Sequence, residues 1–107
     1  IVDIKHLSSL VAIADNGSFS AAAKALYTVQ SNVSAHIARL ERELGSTLVD
    51  RNSGALTEEG EVVLERARRI LREVEDIPGD LTALEDQITG VTRLGVLSTT
   101  ARWIMPQ

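Results

Sequence analysis

Residues 18–44, SFSAAAKALYTVQSNVSAHIARLEREL, restrict this chain to very few folds. They read as two short helices joined by a tight turn. In the second helix Val29, Val33, Ile37, Leu40 and Leu44 recur at spacings of four, four, three and four, which predicts one buried stripe. Gln30, Ser31, Ser34, Ala35 and Ala38 fall together on a different face. A face that merely meets water is usually filled with Lys, Glu or Arg. Small side chains instead let a helix backbone approach a large partner closely, and Gln and Ser bond base edges and phosphates. This is the pattern of a recognition helix for a DNA major groove.

The flanking residues extend the same architecture. Residues 3–15 are predicted helical, with Ile4, Leu7, Leu10, Val11 and Ala14 on one stripe, and Asn16-Gly17 stops them because Gly tolerates the left-handed conformation. Ser18 can cap the next helix by accepting a backbone N–H bond. Ala21 to Leu26 keep that helix slim enough to pack closely. Tyr27-Thr28 make the turn, with Thr28 the expected cap of the third helix, and Gly45 ends it. Thr47-Leu48-Val49 is β-friendly, Asn52-Ser53-Gly54 is a turn, and Ala55-Leu56-Thr57 returns as a second short strand. The predicted class is mainly α: a winged helix-turn-helix over residues 1–60, with three helices and a short β-hairpin wing. A three-helix domain with a plain loop is the alternative.

A long helix is predicted over residues 57–89, capped by Thr57, with Glu58, Glu59 and Glu61 near the positive end of its dipole. Val63, Ala67, Ile70, Val74, Ile77, Leu81, Leu84 and Ile88 alternate spacings of four and three. A seam sustained over that length argues for pairing with a second helix, and hence for a linker that dimerises. The competing reading is a helix lying on its own domain's core. Pro78-Gly79 removes a backbone donor, and a kink or short break is expected there. After Gly90, VTRLGVLS reads as a buried strand, so residues 90–107 are expected to open a further domain.

Composition excludes several functions. The 107 residues contain no Cys and two distant His, so neither a disulfide framework nor a metal site is expected. No nucleophile–base pair, Gly-rich phosphate loop or metal cluster supports an enzyme, and no cofactor is expected in these residues. No apolar run approaches the roughly 18 residues of a membrane span, and the start does not read as a signal peptide. Ile1 in place of Met points to a trimmed or renumbered start. A soluble, cytoplasmic protein is expected. The net charge of −4 runs against a DNA partner, but residues 1–56 hold five basic and five acidic side chains, so the acidic excess lies beyond them. A neutral head weakens non-specific DNA affinity without excluding specific binding by a dimer.

From residue 7 to about 105 the chain resembles the LysR-type transcriptional regulators of bacteria. The resemblance rests on SFSAAAKAL, on QSNVSAHIARLERELG with its LE-x-x-LG ending, on the segment from Leu48 to Arg51, and on LTEEGE. It implies an N-terminal winged helix-turn-helix, a linker helix that pairs antiparallel in a homodimer, and a periplasmic-binding-protein-like effector domain. TRLGVL is similar to that domain's first strand, and Trp103-Ile104-Met105-Pro106 to the start of its first helix.

By the same resemblance Gln30 reaches base edges, Ser31 stands where relatives often have proline, and Ser34 contacts backbone phosphate. Arg51 closes the family's LFxR pattern beside the wing, where it could equally pair with Asp50 or Glu43. The chain departs from its relatives where Ala35 replaces a frequent arginine, His36 a frequent glutamine and Val49 the usual Phe. Its wing is about two residues short and lacks a second arginine. The expected DNA-contacting set is Ser18, Ser20, Gln30, Ser31, Asn32, Ser34, Ala35, His36 and Arg51. The expected dimer interface is Val63, Ala67, Ile70, Val74, Ile77, Leu81 and Leu84. Thr99 and Thr100 fall where family effector domains bind a small-molecule effector. Promoter DNA and a homodimer are the implied partners, with a tetramer open to the full-length protein. A protein-interaction module, dimerising without DNA, is the other reading.

Overall fold

A computed structural model describes residues 1–90, and side-chain surroundings as far as residue 87. The expected strand TRLGVL, Thr99, Thr100, residues 103–106 and the side chain of Ile88 lie outside the described residues. Four helices follow in order: α1 (Ile4–Asn16), α2 (Phe19–Ala25), α3 (Gln30–Leu44) and α4 (Glu58–Gly90). The chain divides into two compact units, residues 1–71 and the remainder.

Local chemistry sets the helix ends in the first unit. Asp3 caps α1 by accepting the Lys5 N–H at 2.8 Å, and Gly17 terminates it at φ 86° with its N–H on the Ile13 carbonyl. Ser18 caps α2 by accepting the Ala21 N–H at 3.1 Å, and Gly45 closes α3 at φ 71°. Thr28 does not cap α3. Val29 occupies the capping position without a side-chain bond, and the Thr28 hydroxyl instead accepts from the Asn32 side-chain amide at 2.8 Å. Tyr27, at φ 57° and almost fully exposed, turns the chain between α2 and α3.

The core forms where α1, α2 and α3 meet. Leu10 and Ile13 of α1, Ala22 of α2, and Val33, Ile37 and Leu40 of α3 have no exposure to water. Burial of each large aliphatic side chain here contributes roughly 1.5–3 kcal/mol. Two predicted stripes are shorter than expected. Val29 and Leu44 are exposed, because they sit at the two ends of α3 beyond the neighbours that cover its middle. Ile4, in the first turn of α1, is exposed likewise, whereas Ser9 and Ile13 are fully buried.

The wing is smaller than a hairpin. Leu48 and Val49 enter the core, and one antiparallel bridge joins Val49 to Leu56, closed by the Asp50 N–H on the Ala55 carbonyl at 2.8 Å. The turn reverses at once through Gly54, so the two expected strands shrink to this bridge. A Cβ on Gly54 would stand 2.7 Å from the Gly17 carbonyl oxygen, which places the wing's turn directly against the α1–α2 junction.

Thr57 caps α4 as expected, accepting the Gly60 N–H at 3.0 Å. Gly60 itself lies under the Leu48 carbonyl. Within the first unit, Leu64 and Ala67 complete the core, and Val63 and Ile70 pack on it half-buried. The competing reading of the seam therefore holds for its first part: Ala67 has no exposure left to offer a partner helix. In the second unit Val74, Ile77, Leu81 and Leu84 are all exposed. Of the kink or short break expected at Pro78, the break does not occur, since α4 runs through it. The Pro78 carbonyl accepts the Thr82 hydroxyl at 2.9 Å, and Pro78 lies on an exposed stretch where water can serve the carbonyl that its ring leaves without a donor.

Gly60 yields the first prediction. Any side chain there overlaps backbone at Leu48, so Gly60→Ala should destabilise the domain by about 3 kcal/mol, the upper end of overpacking costs. Denaturant unfolding checks it, and an unchanged midpoint would show that the wing shifts freely.

Candidate nucleic-acid interface

One turn per 3.6 residues places Gln30, Ser31, Ser34, Ala35 and Ala38 within an arc of roughly 140° on α3. Burial of Val33, Ile37 and Leu40 aims that arc outward. Gln30, Ser31 and Ala35 are exposed, while Ser34 and Ala38 are half-buried. Arg42, exposed one turn beyond Ala38, lies on the same arc and was absent from the expected set. Ser20 is exposed on the first turn of α2, and Ser18 lies 3.5 Å from its hydroxyl while its own oxygen caps the helix. Asn32 is exposed but lies roughly 160° around the helix from Ser34, and its amide bonds back to Thr28.

His36 departs from expectation. It is turned toward α1: its Nδ1 lies 2.8 Å from the hydroxyl of Ser9, and its ring meets that of His6 with centroids 5.1 Å apart. Ser9 is fully buried. His36 is therefore neither a groove-facing contact nor a solvated surface residue; it links α1 to α3. On the helical wheel it lies roughly 100° beyond Ala35 and roughly 40° from Leu40, nearer the buried stripe than the exposed arc, and Ser9 and His6 give its ring partners there. Partial burial lowers its pKa, reinforced by the charges of His6 and Lys5 and opposed by Asp3.

Arg51 also has partners other than those expected. Its Nη1 donates to the Ser34 hydroxyl at 2.8 Å, and its Nη2 meets Glu41 Oε1 at 3.3 Å. The guanidinium lies over the Phe19 ring, 5.0 Å from its centroid. Glu41, and neither Asp50 nor Glu43, is the acidic partner. The other oxygen of Glu41 accepts the backbone N–H of Leu48 at 2.8 Å and of Val49 at 3.2 Å. One carboxylate thus ties α3 to the wing and to Arg51. The sequence held a signal for it: Glu41 follows Ser34 by seven residues, two turns along the same face, where an uncompensated acid would oppose phosphate. Because the Ser34 oxygen accepts from Arg51, its own proton is left to donate outward.

Three helices around an aliphatic core, a rudimentary wing and a small polar face on the third helix define a helix-turn-helix domain. The family model of the bacterial regulatory helix-turn-helix proteins, lysR family, matches residues 4–61, and the chain belongs to that family. It is 36% identical over 106 residues to the HTH-type transcriptional regulator EstR of Acinetobacter baylyi, covering 97% of this chain and 35% of that protein. The chain thus spans about a third of the length of such curated relatives. Among solved structures it is similar to the CbnR_DBD–DNA complex, at 35% identity and a TM-score of 0.68 over 78% of this chain and 97% of that one. It is also similar to full-length LysG of Corynebacterium glutamicum with bound effector Arg, at 31% identity and a TM-score of 0.74 over 79% of this chain and 30% of that one.

The His36 environment makes stability depend on pH. Because its folded pKa lies below the ordinary 6.5, the unfolded chain takes up the proton first as pH falls. Its contribution is complete above about pH 6.5 and is lost as pH drops through the folded value. His36→Gln should therefore flatten the decline in unfolding free energy between about pH 7 and pH 5. Equal slopes in parent and variant would place the linkage elsewhere.

Proposed function

We propose that the chain is the promoter-binding head and linker of a dimeric transcriptional regulator, acting on double-stranded DNA rather than as a catalyst. One observation carries this reading: an exposed arc of Gln, Ser and Ala on the third helix of a helix-turn-helix domain, where solvent alone would favour long charged side chains. Residues 1–60 form the DNA-binding head. Gln30 reads a base edge in the major groove, and Ser31 and Ala35 allow the backbone close approach. Ser34 donates to phosphate, and Ser20 with the Ser18 hydroxyl meets the backbone beside it. The likeness to the CbnR_DBD–DNA complex supports this placement.

Residues 57–89 act as the dimerisation linker. The exposed Val74, Ile77, Leu81 and Leu84 are the part of the seam left for a partner, with Ile70 and Val63 contributing what their own core does not cover. Residues 90–107 open an effector domain in which Thr99 and Thr100 contact a small molecule; effector-bound LysG supports a ligand of that kind for the full-length protein. A dimer binds a partly palindromic site, and full-length chains can pair further into a tetramer. Among the described residues no helix is long and apolar enough to cross a membrane, and the reading assigns the protein to the bacterial cytoplasm. A protein-interaction module is separated from this function by salt, since only DNA binding weakens steeply as salt rises.

Gln30→Ala should relax sequence preference. A good bidentate base contact is worth roughly 1–3 kcal/mol of discrimination, so the variant should lose affinity for a duplex enriched by the parent from a random pool. A shuffled duplex of equal composition should be little affected. Equal losses on both would show that Gln30 reads no base.

Replacing Ile77 and Leu81 together by Asp should give monomers. Both are more than half exposed in one chain, so the head's core is not disturbed, whereas burial in a dimer contributes roughly 1.5–3 kcal/mol for each. Sedimentation equilibrium checks the mass. A dimeric double variant would place the interface elsewhere.

A further inference from the structure

We propose that Glu41 determines specificity in DNA recognition by neutralising Arg51 and holding it on Ser34, so that Arg51 is not a free cation beside the reading face. The inference rests on the reading that the exposed arc of α3 meets DNA.

Glu41 cannot follow a moving partner. Two backbone N–H groups, from Leu48 and Val49, bind one of its oxygens and leave the other pointing at Arg51. Arg51 in turn is held from two helices, by Phe19 of α2 and by Ser34 and Glu41 of α3. An acid on a phosphate-facing helix works against affinity unless it has another task. Here it cancels the charge that would otherwise grip any phosphate. It also presents the guanidinium to the Ser34 oxygen, so the hydroxyl proton points away from Arg51. Non-specific affinity comes from free cations that displace counterions, whereas specific affinity needs aligned donors and acceptors. A neutralised arginine that aligns a serine lowers the first and preserves the second. Glu41 is thus a positioning residue, and so is Arg51.

Salt dependence tests this with the full chain, on the pool-enriched duplex and its shuffled counterpart. Glu41→Gln keeps an amide oxygen for the wing N–H groups and frees Arg51. Affinity for the shuffled duplex should rise several-fold, and the plot of log K against log salt should steepen by about 0.9. The ratio of enriched to shuffled affinity should fall. Arg51→Ala, which leaves the Glu41 bonds to the wing, should lower affinity for the enriched duplex. It should not flatten the salt slope, and in a Ser34→Ala background it should leave the ratio of enriched to shuffled affinity unchanged. The proposal is overturned if Glu41→Gln melts like the parent yet leaves shuffled affinity and slope unchanged. It is also overturned if Arg51→Ala flattens the slope by about 0.9, the mark of an arginine gripping phosphate directly. If Glu41→Gln does not fold, the Arg51→Ala slope decides. A parent that enriches no duplex overturns the DNA reading itself, by a different readout.

Discussion

The complete burial of Val33, Ile37 and Leu40 fixes the rotation of α3 about its own axis, and the domain's other features depend on that angle. Turning the helix far enough to present another face would expose all three side chains, at roughly 5–9 kcal/mol. That is comparable with the whole net stability of a small domain. The outward arc is therefore not adjustable without unfolding. Ala22 and Ala23 matter for the same reason, since α2 has only seven residues and can hold α3 only by lying close to it.

Charge in the first unit is arranged in pairs rather than patches. Arg51 meets Glu41, Arg39 meets Glu43 at 3.8 Å, and Arg68 meets Asp15 at 2.8 Å. Exposed pairs of this kind add little stability. Their effect is on the field outside the molecule, which they keep weak over a head with no basic excess. Lys24 at the end of α2 and Arg42 in the last turn of α3 instead sit where helix dipoles favour cations. Such a surface offers a partner hydrogen bonding and shape more than long-range attraction.

Features set by nearest neighbours were legible in the sequence. Ser18, Gly17, Gly45 and Thr57 occupy the caps and stops expected of them, because each depends on a few adjacent backbone groups. The central α3 stripe was legible because three of its members face the core at once. Features set by distant residues were not. His36 turns inward because Ser9 and His6 lie across from it, and Arg51 chooses Glu41 because the wing holds that carboxylate still. The long seam read correctly as apolar, but its period does not say which members the head's own core covers. Ala67 is sealed within its own core, whereas Leu81 is open, and a period of three and four residues describes both equally well.

The first turn of α4 meets the wing with no clearance. The backbone of Gly60 lies against the carbonyl of Leu48, and Thr57 holds that junction on both sides, donating to the Thr47 carbonyl and accepting from Gly60. Two neighbouring amides, those of Leu48 and Val49, are in turn held by Glu41 of α3. Turning the first turn of α4 against the wing would thus break hydrogen bonds and press backbone on backbone, so this junction is a joint of fixed contacts rather than a free tether.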